Sequence, residues 1–296
     1  MNAPTSLGNI GGVRTIGAQA AFTRTDLAVV GGGLLALALL LTLGVLKPRA
    51  SNHGTSCLNN LRRLSDAWQL YSNDSNDHVA NNYGKAETVA EITSGRFGTW
   101  ANNVMTWEVD GIEAQSVTNA AWLRKGPLDR YLNGKVEVYH CPADRYLSPR
   151  QQTAGFVRRV RSVSMNAFFG RSGPGPDATI NCLNKFMPSY RQFLKRSQVP
   201  EPAVTFLFVD EQADSINDGY FLNRVGQDGW EDIPAAYHDG GSSFSFADGS
   251  ALLHRWSSPT SMLTVKFERQ SQPWDKLASE QDWPWFYQHA GFSKIR

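Results

Sequence analysis

The feature that most constrains this chain is a long apolar run near its N-terminus. The run extends over twenty residues from Leu27 to Leu46 without a charged side chain, and Thr42 is its only polar residue. Folded as an α-helix, a run of this length is about 30 Å long and matches the hydrocarbon core of a bilayer. We therefore predict a transmembrane helix over residues 27–46.

A cleavable secretory signal is the main alternative for this run. The apolar part of such a signal has about 7–15 residues and precedes a cleavage site made of small residues. Here the run is longer, and Lys47, Pro48 and Arg49 follow it. Residues 1–21 are rich in Gly, Ala, Ser and Thr and show no apolar periodicity, so we predict a flexible leader before the helix.

An amphipathic pattern follows the apolar run. Apolar side chains recur every three or four positions, as on one face of a helix, at Leu58, Leu61, Leu64, Trp68 and Tyr71. The charged residues Arg62, Arg63 and Asp66 lie off this stripe. We predict one N-terminal helix over residues 22–76, whose first half spans the membrane and whose second half packs on the rest of the protein.

Short strand-like segments dominate the remaining chain, residues 77–296. Apolar, β-branched and aromatic runs predict strands at residues 136–139, 161–169 and 203–209. Residues 243–246 and 251–256 flank Asp248-Gly249, and an Asp-Gly pair between apolar runs is a strong hairpin signal. A helix followed by many strands predicts an α+β fold, in which the long N-terminal helix packs on the antiparallel β-sheet of a globular head.

The charge balance and the missing motifs argue against several functional classes. Lys and Arg number 29 and Asp and Glu 27, which gives a formal charge of +2, whereas nucleic-acid binding usually needs a basic face. The chain contains no G-x-S-x-G, H-E-x-x-H or Walker-type motif. We predict a non-enzymatic protein that does not bind nucleic acid. A hydrolase is the least favoured of the three functions considered.

Aromatic residues leave two interpretations of the head. Nine tryptophans are present, and they either fill the core or line a surface that binds polysaccharide. The second interpretation describes an anchored envelope protein that never polymerises. We favour the core and retain the polysaccharide-binding head as the alternative function.

The densest group of carboxylates follows the predicted strand 203–209. Asp210, Glu211, Asp214 and Asp218 lie within nine residues, and oxygen ligands of this kind suit a hard cation such as Ca²⁺. The spacing does not match an EF-hand, because Ile216 occupies a ligand position counted from Asp214. A solvated turn, in which these side chains accept hydrogen bonds from backbone amides, is the favoured interpretation.

Three cysteines are present, Cys57, Cys141 and Cys182, and none forms a C-x-x-C pair. A helix packed on a sheet would bring the start of the amphipathic stripe near the end of the segment 136–139. We therefore predict a disulfide between Cys57 and Cys141 and a free Cys182, while the other two pairings stay open.

His238, Asp248 and Gly249 form a motif in which nine residues separate the histidine from an Asp-Gly pair. We expect Gly249 to adopt a positive φ angle in a hairpin turn and Asp248 to accept backbone amides there. We expect His238 to bridge two loops through hydrogen bonds. A histidine with two aspartates nearby, Asp239 and Asp248, also suits a catalytic triad or a metal site, but the favoured interpretation is structural. These residues are predicted to build the fold, to catalyse nothing and to hold no metal ion.

Several segments in a fixed order resemble a known family. They are Ala21-Phe22-Thr23 followed by Asp26, Cys57 to Leu64 followed by Ala67-Trp68 and Tyr71, Tyr139 to Asp144, Arg161 to Asn166, Phe208 to Gly219, and His238 with Asp248-Gly249. Together they resemble prepilin-type, type II secretion pseudopilin-like proteins that carry an H-X9-DG domain. The resemblance covers roughly residues 21–256 and implies a pilin-like arrangement of helix and head.

The resemblance also implies a function and a location. It implies a membrane-anchored structural subunit of a type II secretion or type IV pilus-like filament, held in the inner membrane by a single span, with its head in the periplasm or outside the cell. A prepilin peptidase would cut before Phe22 and the new terminus would be methylated. Asp26 would neutralise the terminal amine of a neighbouring subunit. The expected partners are the membrane, other pilin-like subunits and the peptidase.

Overall fold

A computed structural model describes residues 23–45, 50–175 and 182–294 of the chain. The chain divides into two compact units, Met1–Pro48 and Arg49–Arg296. The first unit contains helix α1 (Arg24–Val45). The second begins with helix α2 (Ala50–Asp74) and contains the sheet.

The prediction of one long, membrane-spanning N-terminal helix is wrong. The structure has two helices in its place, α1 and α2. Within the described residues, no helix is both long and apolar enough to cross a membrane. Leu46, the last residue of the predicted span, lies outside these residues, and Gly31–Gly33 give α1 three positions without a side chain. This finding contradicts the predicted transmembrane span over residues 27–46 and the predicted single-pass location in the inner membrane.

The second unit continues with short elements. The helices after α2 are α3 (Lys85–Ser94), α4 (Gly111–Thr118), α5 (Ala120–Arg124), α6 (Asp129–Leu132), α7 (Pro149–Thr153) and α8 (Trp283–His289). The strands are β1 (Val163–Asn166), β2 (Phe206–Asp210), β3 (Tyr220–Phe221), β4 (Gly241–Phe246) and β5 (Ala251–Arg255). Single 3₁₀ turns occur at Val136–Tyr139, Arg196–Gln198 and Pro259–Ser261, and a π-helical turn, Ala278–Asp282, precedes α8.

The five strands form one mixed sheet in the order β3-β1-β2-β4-β5. The predicted hairpin is confirmed, because β4 and β5 pair antiparallel with Phe244 opposite Leu252. The prediction of an all-antiparallel sheet is wrong, because β1 and β3 run parallel, with Met165 opposite Tyr220. Residues 211–219 carry the chain from β2 past β1 to this edge, and a strand of two residues leaves no alternating pattern in the sequence.

Helix α2 covers one face of the sheet, and its apolar stripe is confirmed. Leu61, Leu64 and Trp68 are fully buried, whereas Leu58 and Tyr71 at the two ends are half-buried. Ser65 donates a hydrogen bond to Ser245 of β4 over 2.8 Å. Small serines on this side of β4 let the helix approach the strand closely.

An aromatic layer that includes α8 covers the opposite face. Phe206 of β2 packs against Phe286 of α8 at a ring distance of 5.5 Å, and Phe244 of β4 packs against Trp285 at 5.0 Å. Both faces of the sheet are therefore buried, which explains why all five residues of β2 are buried and why its sequence is a continuous apolar run rather than an alternating one.

The predicted strand over residues 136–139 is wrong. The segment is a 3₁₀ turn that follows two positive-φ residues, Asn133 and Gly134. Its hydrogen bonds are local, such as His140 N to Glu137 O at 3.2 Å. The alternation of valine and polar residues resembles a strand, but the preceding reversal of the chain leaves no neighbouring strand to pair with.

Candidate metal centre

Four buried side chains from separate parts of the second unit converge on one point. They are Cys57, Cys141, Asp210 and His238, and one potential ligand atom of each lies within 4.8 Å of the others. Cys57 lies in helix α2, and Cys141 lies in the segment after the 136–139 turn. Asp210 ends β2, and His238 precedes β4.

Asp210 is held by the sheet. It is the last residue of β2, it lies opposite Val163 of β1, and its carbonyl accepts a hydrogen bond from Ala235 N at 2.8 Å. The side chain is fully buried. Within the described residues, Oδ1 has no hydrogen-bond partner. A buried carboxylate oxygen without a donor is unfavourable. The other oxygen, Oδ2, is the one that contacts Cys57 and His238.

His238 is positioned by a tight turn. His238 and Gly241 exchange two backbone hydrogen bonds of 3.2 and 3.1 Å around Asp239 and Gly240. These two central residues have φ angles of +53° and +77°, a combination that favours Asp-Gly. The turn directs the imidazole inward, where Nε2 lies 3.3 Å from Cys141 Sγ and 3.8 Å from Asp210 Oδ2.

Cys141 lies in a turn in which one backbone amide donates a hydrogen bond to its sulfur. Its backbone N donates to Ser162 Oγ at 2.7 Å, and the amide of Ala143 donates to Cys141 Sγ at 3.4 Å. The amide of Asp144 closes the same turn by donating to the Cys141 carbonyl at 3.0 Å. Amide donors of this kind orient a thiolate ligand and stabilise its charge.

Cys57 extends the buried stripe of α2 by one turn, four residues before Leu61. Its thiol is fully buried and donates to Asp210 Oδ2 over 2.6 Å. Gly54, one helical turn earlier, lies against the His238 ring, because a Cβ atom there would be 3.8 Å from ring atoms. The helix therefore supplies one ligand and also covers another.

Two of the separations between ligand atoms match those of a tetrahedral zinc site. Metal–ligand bonds of about 2.0–2.3 Å in a tetrahedral zinc site place the ligand atoms about 3.3–3.8 Å apart. The two separations from His238 Nε2, 3.3 and 3.8 Å, lie in this range. The shorter contact between Cys57 and Asp210 is a thiol–carboxylate hydrogen bond, which a bound cation would replace.

The proton affinities of the cluster depend on burial and on mutual contacts. Burial, with Cys141 and Asp210 adding to it, raises the pKa of Cys57 well above its ordinary value. Burial acts the same way on Cys141, but hydrogen bonds with Cys57 and His238 lower the pKa of Cys141 overall. Burial opposes protonation of His238, yet Asp210 and Cys141 outweigh it and raise its pKa to about 10. A metal ion would displace protons from both Cys57 and His238.

The donor set indicates which cation the site would take. Two sulfurs, one imidazole nitrogen and one carboxylate oxygen suit Zn²⁺ or a similar transition metal, whereas Ca²⁺ prefers oxygen ligands alone. All four ligands come from the protein and all four are buried. A closed set of this kind is typical of structural metal sites, since catalytic zinc keeps one position for water.

Of the four carboxylates considered for Ca²⁺, only Asp210 belongs to this cluster. Glu211 accepts hydrogen bonds of 2.5 Å from Ser164 and Ser215, and burial raises its pKa to about 7. Asp218 accepts from the Tyr220 amide at 2.7 Å, and burial raises its pKa to about 6. Asp214 accepts from Trp107 Nε1, Gln270 Nε2 and the amides of Lys266 and Phe267. All three have their own donors, but they are buried, so the turn is not solvated as predicted. Glu211 also accepts from serine hydroxyls rather than from backbone amides.

The remaining predicted site residues lie elsewhere. Gly249 has a φ of +94°, and Asp248 Oδ1 accepts from the Ser250 amide at 2.9 Å, so these two residues form the hairpin turn between β4 and β5. The His238 ring contacts the cysteines and Asp210 rather than bridging to this turn. Ala21 and Phe22 lie outside the described residues, and Asp26 lies in α1 with its side chain not described.

The cysteines meet, but as free thiols. Cys57 and Cys141 share the cluster, and Cys182 is also free. The predicted disulfide between Cys57 and Cys141 is not formed, and Asp210 and His238, which were not predicted to lie there, join the two cysteines. The available signal was weak, because each ligand comes from a different segment and no two have the short spacing typical of zinc motifs.

Comparison with protein-family models, with curated proteins and with solved structures found no match to this chain.

Proposed function

We propose that residues 49–296 form a structural domain fastened by one transition-metal ion, Zn²⁺ by preference, at Cys57, Cys141, Asp210 and His238. The single observation that carries this proposal is the convergence of four buried ligand atoms within 4.8 Å. The ion would join α2, the segment after the 136–139 turn, β2 and the approach to β4. Because such a site does not exist in the unfolded chain, metal binding contributes directly to folding.

The same geometry favours a structural over a catalytic role. His238 is 3% exposed and the other three ligands are fully buried, so a substrate has no direct path to the ion. Gly54 on α2 further covers the imidazole. We therefore infer that the centre holds the helix on the sheet and performs no reaction.

For the whole chain we propose a pseudopilin-like structural subunit that assembles with other copies through α1. The sequence resemblance motivates this role. Several apolar side chains of α1 support it, because Val29, Leu34 and Leu35 are each more than half exposed. Apolar helix faces of this kind are buried by association with a partner. The metal-fastened domain would then be the part that each subunit presents outside the assembly.

The polysaccharide-binding alternative receives less support from the tryptophans. All nine tryptophans are buried or half-buried. Trp230, Trp256, Trp274, Trp283 and Trp285 pack against one another in the aromatic layer beneath the sheet. Rings engaged in a core offer little surface for a sugar.

Elemental analysis of the purified full chain tests the metal part of the proposal. We expect about one zinc per chain in the wild type and in Cys182→Ser, whose sulfur lies outside the cluster, since four ligands hold one ion. His238→Gln and Cys141→Ser should lose it. Equal metal content in all four proteins would contradict the proposal.

Photo-crosslinking in the native cell tests the assembly part. A photoreactive amino acid at Leu35 of α1 should yield crosslinks between copies, while the same group at Val225, which is exposed in the second unit, should not. Crosslinks from Val225 but none from Leu35 would overturn assembly through α1 and would leave the metal centre unaffected.

A further inference from the structure

A cavity of about 450 Å³ lies beside the metal centre. Its wall includes His140, Asp144, Arg145, Arg158 and Arg159. None of these residues is a metal ligand, although the turn that carries Cys141 separates His140 from Asp144. Three arginines and one aspartate therefore line a common space.

The three arginines are not neutralised by the protein. Within the described residues, none of them forms an ion pair. Arg145 donates to the Pro142 carbonyl and to His53 Nε2, at 3.4 and 3.3 Å. With one carboxylate against three guanidinium groups, the cavity carries a net positive charge.

Of the three arginines, Arg159 gives the strongest evidence that the cavity binds an anion. It is 2% exposed, its guanidinium lies 4.7 Å from the Trp107 ring centre, and Nη1 donates to the Ala213 carbonyl at 3.1 Å. Nε is buried without a hydrogen-bond partner among the described residues. A buried cation with an unused donor is unfavourable unless an anion reaches it.

Asp144 places a second requirement on a ligand of this cavity, which is a hydrogen-bond donor. It is 3% exposed, and Oδ1 accepts from the Tyr146 amide at 3.2 Å. Oδ2 is buried without a partner in the described part of the chain, as is His140 Nε2. A carboxylate oxygen of this kind accepts a hydrogen bond, so a complementary ligand carries a hydroxyl group beside its negative charge.

We propose that this cavity binds a small oxyanion that also bears a hydroxyl group. Arg158 and Arg159 hold the anionic oxygens, and Asp144 Oδ2 accepts the hydroxyl proton in a hydrogen bond. Two sources share this chemistry, the monohydrogen form of inorganic phosphate and a sugar acid. Neutral sugars lack the charge that the arginines require. This site goes beyond the structural role proposed above and does not depend on the metal ion.

Calorimetric titration of the full chain at low salt tests the site. The probes are inorganic phosphate, glucuronate and, as the neutral control, glucose. We expect phosphate or glucuronate to bind at concentrations up to about 10 mM, the weak end of ligand affinities, and glucose not to bind. Binding of phosphate alone identifies a phosphate-type ligand, and stronger binding of glucuronate identifies a sugar acid. Binding of neither anion, or equal binding of glucose, would overturn the proposal.

Variants connect the binding to the cavity. Arg158→Ala should weaken the anion about tenfold or more, because charge-assisted hydrogen bonds are the strong ones, and its exposed position leaves folding intact. Arg159→Ala should do the same, with circular dichroism to verify the fold. Arg150→Ala is the matched control, since Arg150 is exposed and pairs with Glu108. An unchanged affinity in Arg158→Ala, or an equal loss in Arg150→Ala, would contradict the assignment.

Discussion

Cys141 Sγ lies 3.3 Å from His238 Nε2, although the two residues are 97 positions apart in the chain. The contact joins the turn after residues 136–139 to the turn that starts β4. Backbone hydrogen bonds close each turn, two at His238 and one at Cys141, and the contact between Cys141 and His238, with the neighbouring Cys57 and Asp210, links the two turns to each other. The cluster is therefore the point at which several loops of the second unit are fixed.

Removal of the ion should destabilise the domain. A chelator is expected to lower the free energy of unfolding by at least about 3 kcal/mol, or roughly 6–12 °C in Tm, because a structural metal site contributes directly to folding. Thermal denaturation with and without chelator measures this. Cys57→Ser should already be destabilised and should no longer respond, whereas Cys182→Ser should respond like the wild type. An identical Tm with and without chelator would contradict a structural metal.

Gly249→Val should destabilise the hairpin without affecting the metal. The φ of +94° at this position is strained for a β-branched residue, and we expect a loss of about 1–3 kcal/mol. Gly249→Asn should lose less, since asparagine tolerates positive φ better. Chemical denaturation measures both. Equal stability of the valine variant and the wild type would show that the turn relaxes at no cost.

Arg161→Lys should cost about 2–4 kcal/mol, because it leaves buried acceptors without donors. Arg161 is fully buried and donates to Asn103 Oδ1 and to the Val163 carbonyl, both at 2.8 Å. A lysine ammonium cannot reproduce this planar set of donors. Arg62→Lys on the exposed face of α2 is the control and should change stability little. Urea denaturation that ranks the two variants as equal would contradict the argument.

His254 should make the domain sensitive to acid. It stacks on Trp285 at a ring distance of 3.5 Å, and burial lowers its pKa to about 4. Between about pH 4 and 6.5 the unfolded chain binds a proton there that the folded chain does not, so stability falls as pH falls through this window. His254→Phe keeps an aromatic stack without a titrating group and should flatten this part of the Tm–pH curve. His78→Phe, at an exposed position, is the control, and equal slopes in both variants would refute the assignment.

Local patterns predicted the elements that depend on local periodicity. The stripe from Leu58 to Tyr71 identified the buried face of α2, and the apolar run of residues 203–209 overlaps β2. The Asp248-Gly249 pair identified the β4–β5 hairpin. In each case the residues that carry the signal are the ones that pack or turn, so a short window contains the necessary information.

The nine-residue spacing between His238 and Asp248 has a geometric explanation. The two residues lie at opposite ends of β4, whose six residues extend about 20 Å at 3.3–3.4 Å per residue. One end carries a metal ligand and the other a hairpin turn. The spacing therefore reflects the length of a turn plus a strand, and it does not bring the two side chains together.

The features of the fold and of the metal centre that were not predicted depend on contacts between segments that are distant in the sequence. The parallel β3 has two residues, too few for a pattern, and residues 136–139 alternate like a strand but lack a partner. The segment from Arg161 to Asn166 contributed to the family resemblance. In the structure its polar side chains form a buried hydrogen-bond network. Cys57, Cys141, Asp210 and His238 come together only because α2 lies on the sheet.

Zinc X-ray absorption spectroscopy of the metal-loaded full chain tests the central claim most directly. We predict two sulfur ligands at about 2.3 Å and two nitrogen or oxygen ligands at about 2.0–2.1 Å. The sulfur contribution should be halved in Cys57→Ser if that variant still retains zinc. A zinc environment made only of nitrogen and oxygen atoms, or no zinc retained by the folded wild-type chain after dialysis, would contradict it.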